Sequence, residues 1–186
     1  MDDSQGMFVR HSISYYLIAL VMVMLSACTT TPKKNQPLPS AQVERLRSIP
    51  LDSHLPIPVK GIKRSELTDT WGAARSHGRR HEGIDIIAPR GTKVYSATQG
   101  IIADLRDNRL GGKVIWILGP AGSWHYYAHL DGHKRGLSVG DYVKQGTLIG
   151  YVGNTGNARD TATHLHYGIY LEGKGRGAVN PYLYLR

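Results

Sequence analysis

The chain of 186 residues is long enough to bury one hydrophobic core, and its 41% hydrophobic content fits a globular protein. The formal net charge of +9 favours anionic partners: nucleic acid, a membrane surface or an acidic wall polymer. The lysines and arginines are scattered and form no nucleic-acid-binding motif, which argues against nucleic acid as the partner.

An apolar run from Ile13 to Ala27 precedes the one cysteine of the chain, Cys28. This run is shorter than the roughly 20 residues of a spanning helix and has the length of a signal-peptide core. The segment from Leu25 to Cys28 resembles a bacterial lipobox, which implies cleavage before Cys28 and lipidation of its thiol. We therefore expect residues 1–27 to be a lipoprotein signal peptide. An uncleaved apolar anchor is the alternative.

A lipid at Cys28 predicts that the protein is anchored to a membrane of the cell envelope. In a diderm bacterium this is the outer membrane, with the protein facing the periplasm. Residues 28–50 are predicted to form the lipidated cysteine and a flexible tether, because Thr29 to Ser40 is polar, proline-rich and aperiodic. Residues 41–48 can form one or two helical turns. The compact domain is predicted to cover residues 51–186.

Seven segments of this domain are rich in Val, Ile, Tyr and Trp and are separated by Gly, Asn and Asp. They are residues 93–97, 101–105, 114–118, 124–130, 142–143, 148–152 and 164–171. Short strands at close spacing predict an all-β fold, either an antiparallel sandwich or a partly open barrel. Residues 138–141 and 148–153 are expected to be the two halves of one hairpin.

Histidines in an alternating run indicate where the chemistry lies. In a β-strand His164 and His166 point to the same face, so both can reach a metal, or one can bind metal while the other transfers protons. His81 and Asp85 lie upstream, and His129 lies between the two groups. Two imidazoles and one carboxylate suit a zinc ion with an open position for water. The spacing alone leaves open which of His164 and His166 binds the metal.

Four blocks carry a family resemblance: residues 81–86, 127–130, 152–158 and 163–169. Their order and spacing resemble the signature blocks of the lysostaphin/LytM-type zinc metallopeptidases. The resemblance covers about residues 51–186. It implies a LytM-like fold, Zn²⁺ as cofactor, and hydrolysis of peptide bonds in the stems or cross-links of peptidoglycan.

The resemblance also implies individual roles. His81, Asp85 and His166 would bind zinc, and His129 and His164 would be the unliganded catalytic pair. Some relatives place an upstream tyrosine near the oxyanion, and Arg75 lies in roughly that region here. His125 is expected to be a groove or surface residue on the same strand face as His129. We expect a monomer.

Two other functions are compatible with parts of the sequence. Some LytM-type domains have lost zinc ligands and act as binding modules that activate cell-wall amidases. That function predicts gaps among the five residues, and none of the five is missing here. A structural, wall-anchoring lipoprotein would fit the basic charge and the tether.

Overall fold

The computed structural model describes residues 37–186. The predicted signal peptide, Cys28 and the first part of the predicted tether lie outside the described residues. Within residues 37–186, no helix is both long enough and apolar enough to cross a membrane.

The described chain consists of short strands joined by turns, with one short helix near each end. The helices are α1 (Ser40–Ser48) and α2 (Tyr182–Leu185). The strands are β1 (Ile84–Ile87), β2 (Lys93–Tyr95), β3 (Gly100–Asn108), β4 (Gly112–Leu118), β5 (Trp124–His133), β6 (Tyr142–Val143), β7 (Leu148–Val152), β8 (His164–Tyr170) and β9 (Ala178–Val179). The seven predicted strand segments agree with β2 to β8, while β1 and β9 were not among them.

All nine strands belong to one open antiparallel sheet, which confirms the predicted all-β class. The main strand order is β1-β8-β5-β4-β3-β6. Strand β7 pairs with β2 and β5, whereas β6 pairs with β3. The prediction of a hairpin between residues 138–141 and 148–153 is therefore wrong. Residues 138–141 and 148–153 are close in sequence, but their hydrogen-bond partners lie on different strands.

Strand β5 changes partner in its middle. Residues 124–128 pair with β8, while residues from Leu130 onward pair with β7. His129 lies at the change and has φ of 61°, in the left-handed region that non-glycine residues seldom adopt. This conformation interrupts the alternation of side chains along β5 and allows the sheet to divide at this point.

The inner face of the sheet forms the hydrophobic core. Along β8, Leu165, Tyr167 and Ile169 are fully buried, with 0% exposure each. Burying a large apolar side chain of this kind contributes roughly 1.5–3 kcal/mol, so these residues fix which face of β8 turns inward. Because side chains alternate along a strand, His164 and His166 then lie together on the opposite face.

Helix α1 packs against the domain at its N-terminal side. Leu46 is only 2% exposed. The backbone N–H of Ala121 donates to the carbonyl of Ile49, just after the helix, over 2.7 Å. Helix α1 is thus held against the sheet domain by the burial of Leu46 and by a backbone hydrogen bond just after the helix.

Candidate active site

Strands β1 and β8 bring the upstream and downstream motifs together. In their antiparallel register Asp85 lies opposite His166, and Ile87 lies opposite His164. His81 precedes β1 and reaches the same place. The Nε2 atom of His81 lies 2.8 Å from Nδ1 of His166 and 3.1 Å from Oδ1 of Asp85. Nδ1 of His166 lies 3.2 Å from that same oxygen.

The backbone determines which nitrogen of His81 carries the proton. Nδ1 of His81 lies 2.8 Å from the carbonyl oxygen of Thr70, and a carbonyl can only accept, so Nδ1 donates. In the neutral ring Nε2 then carries no proton, and its lone pair faces the carboxylate oxygen of Asp85. Two electron-rich atoms at this separation are stable only with a proton or a metal cation between or beside them. The donor set of His81, Asp85 and His166 therefore has the character of a cation site.

Asp85 is ionised in this environment. Burial raises the pKa of its carboxyl group, but hydrogen bonds from His166 and His81 outweigh burial and hold the pKa well below its usual range. Its second oxygen pairs with the guanidinium of Arg75. The backbone N–H of Asp85 donates to the hydroxyl of Thr70 over 3.0 Å, which fixes the start of β1.

Gly83 lies between His81 and Asp85 because no larger residue fits there. A Cβ atom at this position would lie 2.6 Å from Cε1 of His166 and 2.6 Å from the carbonyl oxygen of Tyr167. Real Cβ atoms essentially never approach other atoms so closely, so any side chain here would displace the His166 ring. The glycine is thus a steric requirement of the site.

His129 and His164 form a second pair beside this cluster, with ring centroids 5.0 Å apart. Nδ1 of His129 donates to the carbonyl of Thr155 over 2.9 Å, and Nδ1 of His164 donates to the carbonyl of Ala162 over 2.8 Å. In the neutral form of each ring, Nε2 is therefore the nitrogen without a proton. Nε2 of His164 lies 3.7 Å from Oδ1 of Asp85, so this nitrogen faces the cluster.

Burial keeps His129 neutral. It lowers the pKa of His129 to about 4, against the hydrogen bond to Thr155, which raises it. Burial also lowers the pKa of His166, partly offset by the carboxylate of Asp85. At neutral pH His129 thus carries a lone pair that is able to accept a proton.

The metal-type donors and the two further histidines line one groove, together with Tyr126 and Tyr170. Neither tyrosine was predicted from the sequence. The ring of Tyr126 lies 5.7 Å from that of His166, and burial raises the pKa of Tyr126 to about 12. Tyr126 therefore keeps its hydroxyl proton. The strand alternation could have predicted the place of Tyr126 beside His166. Tyr126 and Ala128 share one face of β5, and Ala128 pairs with His166.

The five residues predicted from the sequence (His81, Asp85, His129, His164 and His166) meet in this groove. Arg75, which lies roughly in the region where some relatives have an upstream tyrosine, also lines the groove and pairs with Asp85. The prediction for His125 is wrong. It has 0% exposure and lies in the core, on the face of β5 opposite to His129.

Known proteins resemble this chain in sequence and in structure. The L-Ala–D-Glu endopeptidase of Bacillus subtilis is 37% identical over 147 residues, which is 74% of this chain and 44% of that protein. A zinc-containing peptidase from Vibrio cholerae superposes with a TM-score of 0.54 at 30% identity, covering 63% of this chain and 37% of that one. The catalytic domain of lysostaphin from Staphylococcus simulans gives a TM-score of 0.52 at 28% identity, covering 75% of this chain and 93% of that one.

The chain spans less than half the length of the first curated relatives it matches. Within the chain, residues 79–181 match peptidase family M23. Since this match takes in more than half of the 186 residues and includes all five groove residues, the chain belongs to peptidase family M23.

Proposed function

We propose that the protein is a zinc-dependent endopeptidase that hydrolyses peptide bonds in the stems or cross-links of bacterial peptidoglycan. The observation that carries this proposal is the meeting of a His-Asp-His donor set with two further histidines in one groove. The names of several relatives support the substrate class, since they include peptidoglycan DD-endopeptidases of Vibrio cholerae.

His81, Asp85 and His166 are proposed to hold the zinc ion. Two imidazole nitrogens and one carboxylate oxygen are a donor set of catalytic zinc sites. The three donor atoms are separated by 2.8, 3.1 and 3.2 Å, close to or somewhat below the about 3.3 Å between tetrahedral ligands of zinc. A bound zinc ion supplies Lewis acidity in the groove and makes water more acidic.

His129 and His164 are proposed to transfer protons. Their bare Nε2 atoms can accept a proton from the attacking water and later return it to the departing amine. The carbonyls of Thr155 and Ala162 hold the two rings in the tautomer that this task requires. Arg75 keeps the second oxygen of Asp85 occupied and so limits rotation of that carboxylate.

Digestion of purified peptidoglycan by the purified full-length chain tests the proposal. We expect soluble peptide fragments whose masses identify the bond cut, loss of activity on chelation, and recovery on addition of zinc. His166→Ala serves as the inactive control. Absence of both zinc and fragments would favour the amidase-activating module or a structural lipoprotein, and stoichiometric zinc without any fragment release would contradict the proposed endopeptidase activity.

We also propose that Cys28 is acylated and that the protein is anchored in the cell envelope, at the outer membrane of a diderm host. The support is the apolar run that ends in Leu25 to Cys28. Residues 29–40 would then be a tether between membrane and domain. Acyl labelling and membrane fractionation of the wild type and of Cys28→Ala test this, and normal acylation of the variant would contradict it. Sedimentation of the purified chain tests the proposed monomer.

A further inference from the structure

An open hollow separate from the groove lies on the same face of the sheet, towards the start of β5 and the end of β8. Its volume of about 650 Å³ is in the range of sites for small ligands. Trp124 at the start of β5 lines it, together with Leu171, which is 43% exposed. Polar side chains form its rim: Arg47, Glu172, Lys174 and Arg176. Tyr170 lines the groove and the next residue, Leu171, lines the hollow, so the two sites are adjacent.

A row of aromatic rings connects the groove to the hollow. The ring centroid of Tyr126, which lines the groove, lies 4.3 Å from that of Trp116. The Trp116 centroid lies 6.4 Å from that of Trp124, which lines the hollow. Nζ of Lys174 lies 5.5 Å from the Trp116 centroid and pairs with Asp104, so Lys174 covers this ring. Trp124 is therefore the ring of the row that is left for a ligand in the hollow.

The rim of the hollow offers both hydrogen-bond donors and acceptors. Arg176 is exposed and forms no ion pair with another described residue, so its guanidinium keeps donors for a ligand. The carboxylate of Glu172 supplies acceptors on the same rim. A sugar ring matches this arrangement, because its hydroxyl groups radiate from the edge while the C–H groups on its face are apolar and can lie on an aromatic ring.

The separation between the hollow and the proposed zinc ligands fits one molecule that occupies both. Trp124 lies four residues before Ala128 on β5, and Ala128 pairs with His166. At about 3.3 Å per residue, the two places are about 13 Å apart along the strand. An extended peptide of about four residues spans the same distance. A stem peptide attached to a sugar in the hollow can therefore reach the groove.

We infer that the hollow around Trp124 is a saccharide-binding site, which holds the glycan strand while a stem peptide lies in the groove. Trp124 stacks on the C–H face of a sugar ring, and Leu171 extends this platform. Arg176 and Glu172 bind the hydroxyl and acetamido groups at the edge of the ring. The identity of the ligand as wall glycan rests on the proposed function, whereas saccharide binding itself requires neither zinc nor hydrolysis.

Titration of the purified full-length chain with a β-1,4-linked tetrasaccharide of N-acetylglucosamine tests the inference. We expect binding that persists after chelation of zinc. Trp124→Ala should weaken it by at least about 5-fold, as is typical for loss of an aromatic anchor. Trp124→Phe keeps a ring on the platform and should stay within about 2-fold of the wild type. Tyr142→Ala removes an aromatic side chain that is 46% exposed and lines neither site, and this matched control should bind as the wild type does.

A rim variant tests the same site without removing a large side chain from the sheet. Arg176→Gln should weaken tetrasaccharide binding by about 3-fold, because a hydrogen bond from the guanidinium is lost. Arg135→Gln, at an exposed turn that lines neither site, is its matched control. Melting curves show that each variant is folded. A folded wild type that binds no tetrasaccharide at millimolar concentration, or wild-type affinity in both Trp124→Ala and Arg176→Gln, would overturn the inference.

Failure of this inference and failure of the proposed function give different results. Tetrasaccharide binding by a chain that releases no fragments from peptidoglycan supports the saccharide site and refutes only the endopeptidase proposal. Fragment release without tetrasaccharide binding does the reverse. In an active chain, a stem peptide that carries its sugars should have a lower KM than the same peptide without them, and Trp124→Ala should lose this difference. Equal KM values in the wild type would contradict a role of the hollow in holding the glycan strand.

Discussion

Two of the histidines on strand β5, His125 and His129, differ in their burial and in their hydrogen-bond partners. His125 has 0% exposure within the core, whereas His129 lines the groove with 9% exposure. Burial lowers both pKa values, to about 3 for His125 and about 4 for His129. Both rings are therefore neutral at neutral pH, and protonation state alone does not distinguish a base from a structural residue.

The hydrogen-bond partners make the distinction. The hydroxyl of Ser123 donates to the carbonyl of Pro120 over 2.7 Å, so its oxygen accepts from Nε2 of His125 over 3.0 Å. Nδ1 of His125 then accepts from the hydroxyl of Tyr167 over 2.8 Å. Both nitrogens of His125 are occupied within the protein. His129 has the opposite tautomer, and its unprotonated Nε2 is left for the groove. A histidine whose lone pair already accepts a hydrogen bond from a buried hydroxyl cannot serve as a base.

The largest expected effect is at the proposed zinc ligands. His166→Ala should lose zinc and activity together, since only His81 and Asp85 would remain as protein ligands. It should also melt at a lower temperature, because a metal that binds only the folded chain adds to the free energy of unfolding. Zinc content, melting temperature and wall digestion measure this. Zinc-free His164→Ala beside zinc-replete His166→Ala would reverse the assignment.

Replacing either groove histidine that is not a proposed zinc ligand should slow hydrolysis without loss of zinc or of stability. His129→Ala and His164→Ala should keep near-stoichiometric zinc and a nearly unchanged melting temperature. Their hydrolysis should fall by on the order of 10²-fold or more, as is typical for loss of a general acid–base. The digestion rate per zinc-loaded molecule is the measurement. Activity within a few-fold of the wild type in both variants would contradict the proposed proton transfer.

His125→Leu should show the reverse pattern. It leaves the buried hydroxyl of Tyr167 without its acceptor and removes one of the two hydrogen bonds of the Ser123 hydroxyl, at a cost of about 2–4 kcal/mol in the free energy of unfolding. Zinc content and hydrolysis per folded molecule should stay close to those of the wild type. Denaturant unfolding, with Tyr167→Phe and the double variant completing the cycle, isolates the His125–Tyr167 interaction. A loss of activity as large as that of His129→Ala would contradict a purely structural role for His125.

Near neutral pH the smallest expected effect is the contribution of His125 to the pH dependence of stability. The unfolded chain binds a proton at this histidine below its ordinary pKa of about 6.5, whereas the folded chain does so only near pH 3. The free energy of unfolding should therefore decrease as pH falls from about 6.5 towards 3, by at most about 1.4 kcal/mol per pH unit for this group. The difference between wild type and His125→Leu measured across this window should show that slope. Parallel curves would contradict it.

Much of the candidate site could be predicted from local sequence. The alternation of His164, Leu165 and His166 placed both histidines on one face of a strand, and the buried Leu165 confirms which face is inner. The family resemblance is confirmed as well, while the individual roles of the five residues stay predictions. His125 and His129 have the same parity on β5, and strict alternation predicted one face for both. The left-handed backbone at His129 broke that rule.

By itself the sequence determined the fold class, most strand positions and the residue types of the site, because strand periodicity and turn-forming glycines act over a few neighbouring residues. Only the tertiary structure decided which side chains meet. The contact between Asp85 and His166 joins residues 81 positions apart and depends on the register of β1 against β8. The tautomers of His81, His129 and His164 likewise depend on backbone carbonyls that distant packing or a local turn brings to each ring. Local patterns contain neither a long-range register nor the position of a carbonyl.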